Sequence, residues 1–466
     1  MDLLMLKLSR YSKKNFFGNI SYLFLFVGMI QGISYGALYP LISERKFFIF
    51  RLTPFNLFPT DLMIFPIAIV IAFIAINQYK GFPKVKIGMT TFFFVFWLIS
   101  IHGIIIGYSR SNEYLFGDLK NLFVRSLFAP LIYFVCRYVD VNKLKSKILN
   151  ISTFLALFLV IRNFLALKGI YLESIIFDEY KQSIWPEMTM LFPYSLLLVK
   201  FFSGSQFTRM NKIQLIVITL SCFSDLWKPN VAAFLICTLI TFIVSLNKKR
   251  GRKTTIARSI SLAFLLLIFL LSLFFITGSD SNVIQMIENT YLKRNAAVVD
   301  LSGGRFQIIS MAIEKWYQFP IFGNGLGDTI SGQFFDAGLG KFIFIDRIYP
   351  HNLPIQILFQ LGLVGIVVMS LLVIVALKKY FSCMGLVLPY EMDNYLGLGA
   401  YCLTLLVISF FSEVITSEVT GYFFWISLGL ISTIIFRGKI FNLSKRHVLS
   451  AIPSSNLENL NNLNNN

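Results

Sequence analysis

Residues 354–377 read PIQILFQLGLVGIVVMSLLVIVAL, an apolar run without one Asp, Glu, Lys or Arg. As a helix rising about 1.5 Å per residue it is long enough to cross the ~30 Å hydrocarbon core of a bilayer. Working outward, runs of the same kind lie near 16–38, 61–79, 87–107, 121–138, 148–167, 187–203, 213–227, 230–247, 259–277, 395–412 and 420–436. Several are short, notably 213–227. Only Lys228 and Pro229 divide 213–227 from 230–247, so this pair reads either as two spans or as one bent, re-entrant element. The expectation is an all-α, polytopic membrane protein of about twelve transmembrane helices.

Composition agrees. Of the 466 residues, 56% are hydrophobic and 14% charged, whereas a soluble domain carries about 25% charged residues. A net charge of +19 would point to nucleic acid in a soluble protein. Here 26 of the 42 Lys and Arg residues fall in short segments between alternate spans once the N-terminus is placed in the cytoplasm. That is the positive-inside bias, with its densest cluster at Lys248, Lys249, Arg250, Arg252 and Lys253. The expected partner is therefore the lipid bilayer and not nucleic acid, and twelve spans return the C-terminus to the cytoplasm. Cys136, Cys222, Cys237, Cys383 and Cys402 lie in or beside apolar runs and form no CxxC pair, which argues against metal and disulfide frameworks. Lys7, Arg10, Lys13 and Lys14 precede a first helix that is expected to be retained.

The chain divides into helices 1–9 (1–277), a long loop (278–353) placed outside the membrane, helices 10–12 with a cytoplasmic end (354–447), and an Asn-rich tail (448–466) expected to be disordered. The long loop is not of disordered composition. Within Arg305 to Phe319, Ile309, Ala312, Ile313 and Trp316 recur at helical spacing, with Ser302-Gly303-Gly304 before them and Pro320 after. An amphipathic helix is expected there.

Three pieces of this loop could carry chemistry: Arg305 at the start of that helix, the turn Gly323-Asn324-Gly325-Leu326-Gly327-Asp328, and His351-Asn352 just before the tenth span. The turn has the look of a dinucleotide fingerprint but follows a helix instead of a strand. His351 is the one histidine expected on the outer side, since His102 lies in a span and His447 in the cytoplasmic tail. An imidazole exchanges protons near neutral pH.

The series Arg305, Trp316, Pro320, Gly323-x-Gly325-x-Gly327, then His351-Asn352, nine residues to Gly362 and two more to Gly365, resembles the signature region of the bacterial O-antigen ligase and O-antigen polymerase family. It covers about residues 302 to 365. The resemblance implies a metal-independent glycosyltransferase without a cofactor, working at the outer face of the inner membrane on a glycan carried by undecaprenyl diphosphate. A polymerase transfers the growing chain onto another lipid-linked repeat unit, with a chain-length regulator protein as a candidate partner. A ligase transfers it onto lipid A-core. The Phe-rich spans favour a polymerase, and the ligase remains open.

A diphosphate leaving group needs cations, and Arg supplies bidentate contacts to its oxygens. Arg305 is the first candidate. Arg162 and Arg125, toward the outer ends of spans, follow, each with interfacial snorkelling as the bland alternative. His351 would act as general base toward the acceptor hydroxyl or as a substrate-orienting group. Arg347, Asn352 and Glu413 are candidate sugar or phosphate contacts. Many family members carry an Arg-Gly pair at the outer start of a middle helix, where this chain reads Lys228-Pro229-Asn230; Lys228 would stand in as a point charge. A lipid-linked oligosaccharide flippase is the alternative from another class. It should show inverted repeats and charges along a path through the spans; no repeat is visible, and the distinctive residues gather in one loop.

Overall fold

The structure, a computed structural model, describes residues 89–119, 122, 125–135, 141–167, 190–203, 207–224, 228–246, 305–336, 341–348, 350, 352–411 and 420–450. The runs at 16–38, 61–79 and 259–277, residues 451–466, Ser302 to Gly304, His351 and Glu413 lie outside the described residues. The long helices are α1 (Met89–Ser109), α3 (Phe128–Val135), α4 (Val141–Leu167), α5 (Leu191–Phe202), α6 (Arg209–Ser224), α7 (Lys228–Leu246), α9 (Leu353–Cys383), α10 (Met392–Ile408) and α11 (Thr420–Ser450). A short turn of helix, α2 (Leu115–Asp118), follows α1, and α8 (Arg305–Trp316) precedes α9. Residues 448–450, expected in the tail, are helical.

These helices are apolar on both faces. One face packs inward: Leu197, Leu198 and Val199 of α5, Phe234 and Cys237 of α7, and Tyr401 and Leu405 of α10 are fully buried. The other face presents large apolar side chains outward at helical spacing. Phe94, Leu98, Ile101 and Ile105 do so on α1, Leu235, Leu239 and Ile243 on α7, and Leu363, Val367, Leu371 and Ile374 on α9. A water-facing helix carries a polar outer face, so this pattern belongs to helices solvated by lipid. Among the described residues, Leu353–Leu386 and Phe423–Asn442 are long and apolar enough to cross a membrane.

The stretch left open above as spans or a re-entrant element is two separate helices. α6 packs on α4, where Gln214 Nε2 donates to Asn150 Oδ1 at 2.9 Å. α7 runs along α5, with Tyr194 and Thr238 hydroxyls 2.9 Å apart and Phe202 against Phe242. Small residues set the closest approaches. A Cβ on Gly397 would meet Leu196 at 2.9 Å, and one on Gly429 would meet the Ala129 carbonyl at 2.6 Å.

Polar groups gather at the two ends of the bundle. At one end Lys200 Nζ donates to Asn211 Oδ1 (2.7 Å), Asn394 Nδ2 to Asn142 Oδ1 (2.8 Å), and Arg437 pairs with Glu391 (2.9 Å). Lys145 lies here too. Burial, reinforced by the charge of Lys200 and only partly offset by Asp393, lowers its pKa to about 8. The opposite end carries α8, the glycine turn and a β-hairpin.

The described residues are mostly helical, as expected of an all-α membrane protein, and the long loop adds one β-hairpin. β1 (Ile330–Asp336) pairs antiparallel with β2 (Lys341–Ile348), from Asp336↔Lys341 to Ile330↔Ile348, with a register shift between Ile330 and Gly332. Alternating Phe and Ile at 342–345 after Gly338-Leu339-Gly340 is a strand signal of the ordinary kind. The face of α8 is corrected. Ile308 and Ala312 form its buried stripe, with Met311 packed beside them against Phe359 and Ile355 of α9. Ile309, Ile313 and Trp316 are only half-buried.

Because Lys145 in the folded state becomes a neutral amine only above about pH 8, its charge opposes folding below that pH. Lys145→Met is expected to stabilise the detergent-solubilised protein at pH 7 by about 1–2 kcal/mol. The gain should shrink between pH 8 and 10.5, as the unfolded lysine also loses its proton. Thermal unfolding across that range measures it, and a pH-independent difference would refute the linkage.

Candidate active site

α9 is broken at Gly362, whose φ of 68° lies in the left-handed region. An unbroken helix would bond the amides of Leu363 and Val364 to the carbonyls of Phe359 and Gln360. Here the glycine turn takes both places. Asn324 and Gly325 amides donate to the Phe359 and Gln360 carbonyls at 3.0 and 2.9 Å. The Leu363 and Val364 amides donate to the Pro320 and Ile321 carbonyls at 2.9 and 3.1 Å. Two helical hydrogen bonds become four splicing bonds. In a bilayer each unsatisfied backbone group would cost several kcal/mol, so such a break persists only where protein fills it.

The turn is clamped on its other side by α1 and the segment after it. The Leu326 amide donates to the Gly103 carbonyl (3.0 Å), and Asn112 Nδ2 donates to the Asn324 and Leu326 carbonyls (3.3 and 3.0 Å). The Arg110 guanidinium lies 3.6 Å from the Phe319 ring centroid and donates to the Gly323 carbonyl at 3.4 Å. His102 packs edge-on against Phe322. Gly323, Gly325 and Gly327 all have positive φ, and a Cβ on any of them would come within 2.5 Å of main-chain atoms. Asn324 and Leu326, between them, are buried.

A buried carboxylate closes the junction. Asp118 Oδ2 accepts from the Gly327 amide at 2.7 Å and from Gln360 Nε2 at 2.6 Å. Lys315, in the last turn of α8, donates to Asp328 Oδ1 (2.6 Å) and to the Thr329 carbonyl (2.9 Å). The amides of residues 323–327 thus all donate to protein acceptors: Phe319 O, Phe359 O, Gln360 O, Gly103 O and Asp118. None remains to cradle a phosphate, which removes the dinucleotide reading on physical grounds.

The candidates from the sequence stand around this junction in different ways. Arg305 begins α8, three and seven residues before the buried Ile308 and Ala312. Arg347 is in β2, and Gln307 Nε2 ties the first turn of α8 to the Gln333 carbonyl of β1 at 2.8 Å. Asn352 caps α9: its Oδ1 accepts from the Ile355 amide (3.1 Å), while its Nδ2 donates to the Phe410 carbonyl. These bonds anchor the start of the helix and leave one N–H and one lone pair of the amide for a further contact. Arg125 is buried at 1% exposure, near Ser126, whose hydroxyl accepts from Trp97 Nε1. Arg162 lies in α4, and Lys228 opens α7 as a separate helix.

Sequence reasoning passed over Asp118, Gln360, Arg110 and Asn112. Asp118 and Gln360 did leave a signal. One is an acid between two apolar runs and the other a polar residue in a charge-free span, and such groups are costly in a membrane unless they bond each other.

The fold and this junction define a helical membrane protein with a loop segment spliced into one of its spans. Residues 229–370 match the family model described as O-Antigen ligase, so that part of the chain is similar to that family. The matched stretch runs from the start of α7, through α8, the glycine turn and the hairpin, to beyond the break in α9. The match supports an activity of the O-antigen ligase or polymerase type. No curated protein matches the chain.

Asp118→Ala strands two buried donors, each costing about 1–3 kcal/mol. Cleavage of the 305–350 segment by added protease is expected to accelerate at least several-fold, while Asp118→Asn, which keeps one acceptor, should fall between. Gly362→Ala would place a Cβ 2.3 Å from the Ile321 carbonyl at positive φ, and should lower stability by about 2–4 kcal/mol in thermal unfolding. Wild-type behaviour in either variant would show that the splice does not hold the segment.

Proposed function

We propose that the protein is a membrane glycosyltransferase that polymerises undecaprenyl-diphosphate-linked repeat units into O-antigen or another surface polysaccharide at the outer face of the inner membrane. The observation that carries this reading is the splice itself. It holds α8, whose first residue is Arg305, on α9 through Ile308, Ala312 and Phe359, and α9 begins at the Asn352 cap that follows His351 in sequence. Groups carried on helix termini hold their geometry better than groups on free loops.

The mechanism follows from the residue types. Arg305 binds the diphosphate of the donor as a bidentate cation and stabilises it as the leaving group. His351 accepts the proton of the acceptor hydroxyl as its oxygen attacks the anomeric carbon and the lipid diphosphate departs. Arg162, Arg125, Arg347, Lys228 and Glu413 are secondary contacts for phosphate or sugar. The chemistry proceeds without a metal, both membrane termini are cytoplasmic, and a chain-length regulator is the partner protein to seek. Transfer of the glycan onto lipid A-core is the second reading, because the family model is described as O-Antigen ligase.

A deletion strain complemented with wild type, His351→Ala or Arg305→Lys tests both, with surface glycans resolved on a gel. A single repeat on core without long chains marks a polymerase, and bare core with lipid-linked polymer behind it marks a ligase. Both variants are expected to lose activity by more than a hundredfold with membrane expression intact, since a lysine cannot reproduce the guanidinium fork. An unchanged ladder in the deletion strain would refute both transferase readings.

A further inference from the structure

The end of the bundle remote from the glycine turn carries a second feature. A narrow groove open to the surroundings runs between α9, α10 and α11, walled by Leu372, Ala376, Leu403, Trp425 and Leu428. Its width suits one extended apolar chain. Lys379 and Tyr380 also line it, and Lys379 is close enough to Lys439 of α11 for the two charges to repel. Lys379 lies 17 residues beyond Gly362, roughly 25 Å along the helix, so this groove is distinct from the proposed transfer site.

Two observations identify what the groove takes. First, its end is unbalanced in charge. Lys379 and Lys439 have no ion-pair partner among the described residues, and Glu391 of the same end is already paired with Arg437. Second, the Tyr380 hydroxyl is buried, lies on Gly399 in the groove wall, and has no hydrogen-bond partner among the described residues. A Cβ on Gly399 would come 2.2 Å from that oxygen, so glycine there leaves the hydroxyl room inside the groove. An occupant must be apolar along most of its length and bear an anionic group with acceptor oxygens at the lysine end.

We propose that this groove is a binding site for an anionic phospholipid of the bilayer, one acyl chain lying between α9, α10 and α11 and the phosphate held by Lys379 and Lys439. The chain covers apolar wall that would otherwise pack poorly, and an ester or phosphate oxygen accepts from the Tyr380 hydroxyl. Clustered lysines at a membrane surface favour anionic headgroups over zwitterionic ones. The lipid bridges the second half of α9 to α10 and α11, and so braces the part of α9 that the splice leaves as a separate helix.

Trp425 in the wall gives a direct readout. The full-length protein is reconstituted in phosphatidylcholine vesicles containing dibrominated phosphatidylglycerol or dibrominated phosphatidylcholine, and quenching is compared with that of Trp425→Phe to isolate one indole. The anionic lipid should half-quench Trp425 at a mole fraction roughly tenfold lower than the zwitterionic one. The preference should vanish in Lys379→Gln/Lys439→Gln, which removes the two charges and keeps side chains of similar length. Ala376→Phe, which fills the groove, should abolish quenching by either lipid. Equal quenching by both headgroups in wild type, a preference that survives the double variant, or absence of quenching overturns the proposal. Displacement of the brominated lipid by an equal fraction of polyprenyl phosphate also overturns it, assigning the groove to an isoprenoid.

Discussion

The carbonyls of Phe359 and Gln360 bond to Asn324 and Gly325 instead of to their own helix, and much of the described structure is arranged around that exchange. A transmembrane helix can open only where other groups satisfy its backbone, because lipid offers none. The glycine turn supplies two donors and, through Pro320 and Ile321, two acceptors. Its own remaining amides turn outward to Gly103 and Asp118. The glycines are therefore needed twice over. They adopt positive φ, and their bare Cα atoms let two backbones approach within the space a methyl would occupy.

From this one junction the placement of the neighbouring elements follows. The turn is continuous with α8 through Trp316, whose Nε1 donates to the Pro320 carbonyl at 3.0 Å. It is continuous with the hairpin through Asp328 and Thr329, both held by Lys315. α8 then lies on α9 through Ile308, Ala312 and Phe359. The first half of α9 is fixed at its start by the Asn352 cap and at its end by the splice, about two and a half turns of rigid helix. The nine-residue interval between His351-Asn352 and Gly362 is thus a length of helix between two fastened points.

The sequence made some of this legible and hid the rest for physical reasons. Helix length and hydropathy mark α9 and α11 because a bilayer imposes a length on any charge-free helix. The glycines were visible as a turn but not as a splice, since the partner carbonyls lie over thirty residues away in a helix with no local sign of breaking except Gly362. The stripe of α8 was misplaced by one position because Ile308 and Ile309 are equally apolar, and only the packing on Phe359 chooses between them. The cap at Asn352 went unread because a polar residue beside a candidate base invites a reading as a substrate contact, a role the cap does not exclude. Capping, which uses the same atoms, leaves no separate mark in composition. The hairpin was overlooked because a search for spans weighs length, and Phe342 to Ile345 is too short to register.

Asn324, Asn352, Asp118 and Gln360 each have polar atoms bonded to partners in the protein, and each bond holds backbone at the junction. Two of them, Asp118 and Gln360, lie 242 residues apart in sequence and meet only because the turn between them brings its Gly327 amide to the same carboxylate. A charge and an amide buried in this way are costly in a membrane unless they bond each other, so the junction carries its polar groups as fasteners. The glycine-rich turn has its amides bonded in the same manner and none left for a phosphate, which makes it part of the frame that positions its neighbours and not itself a ligand cradle.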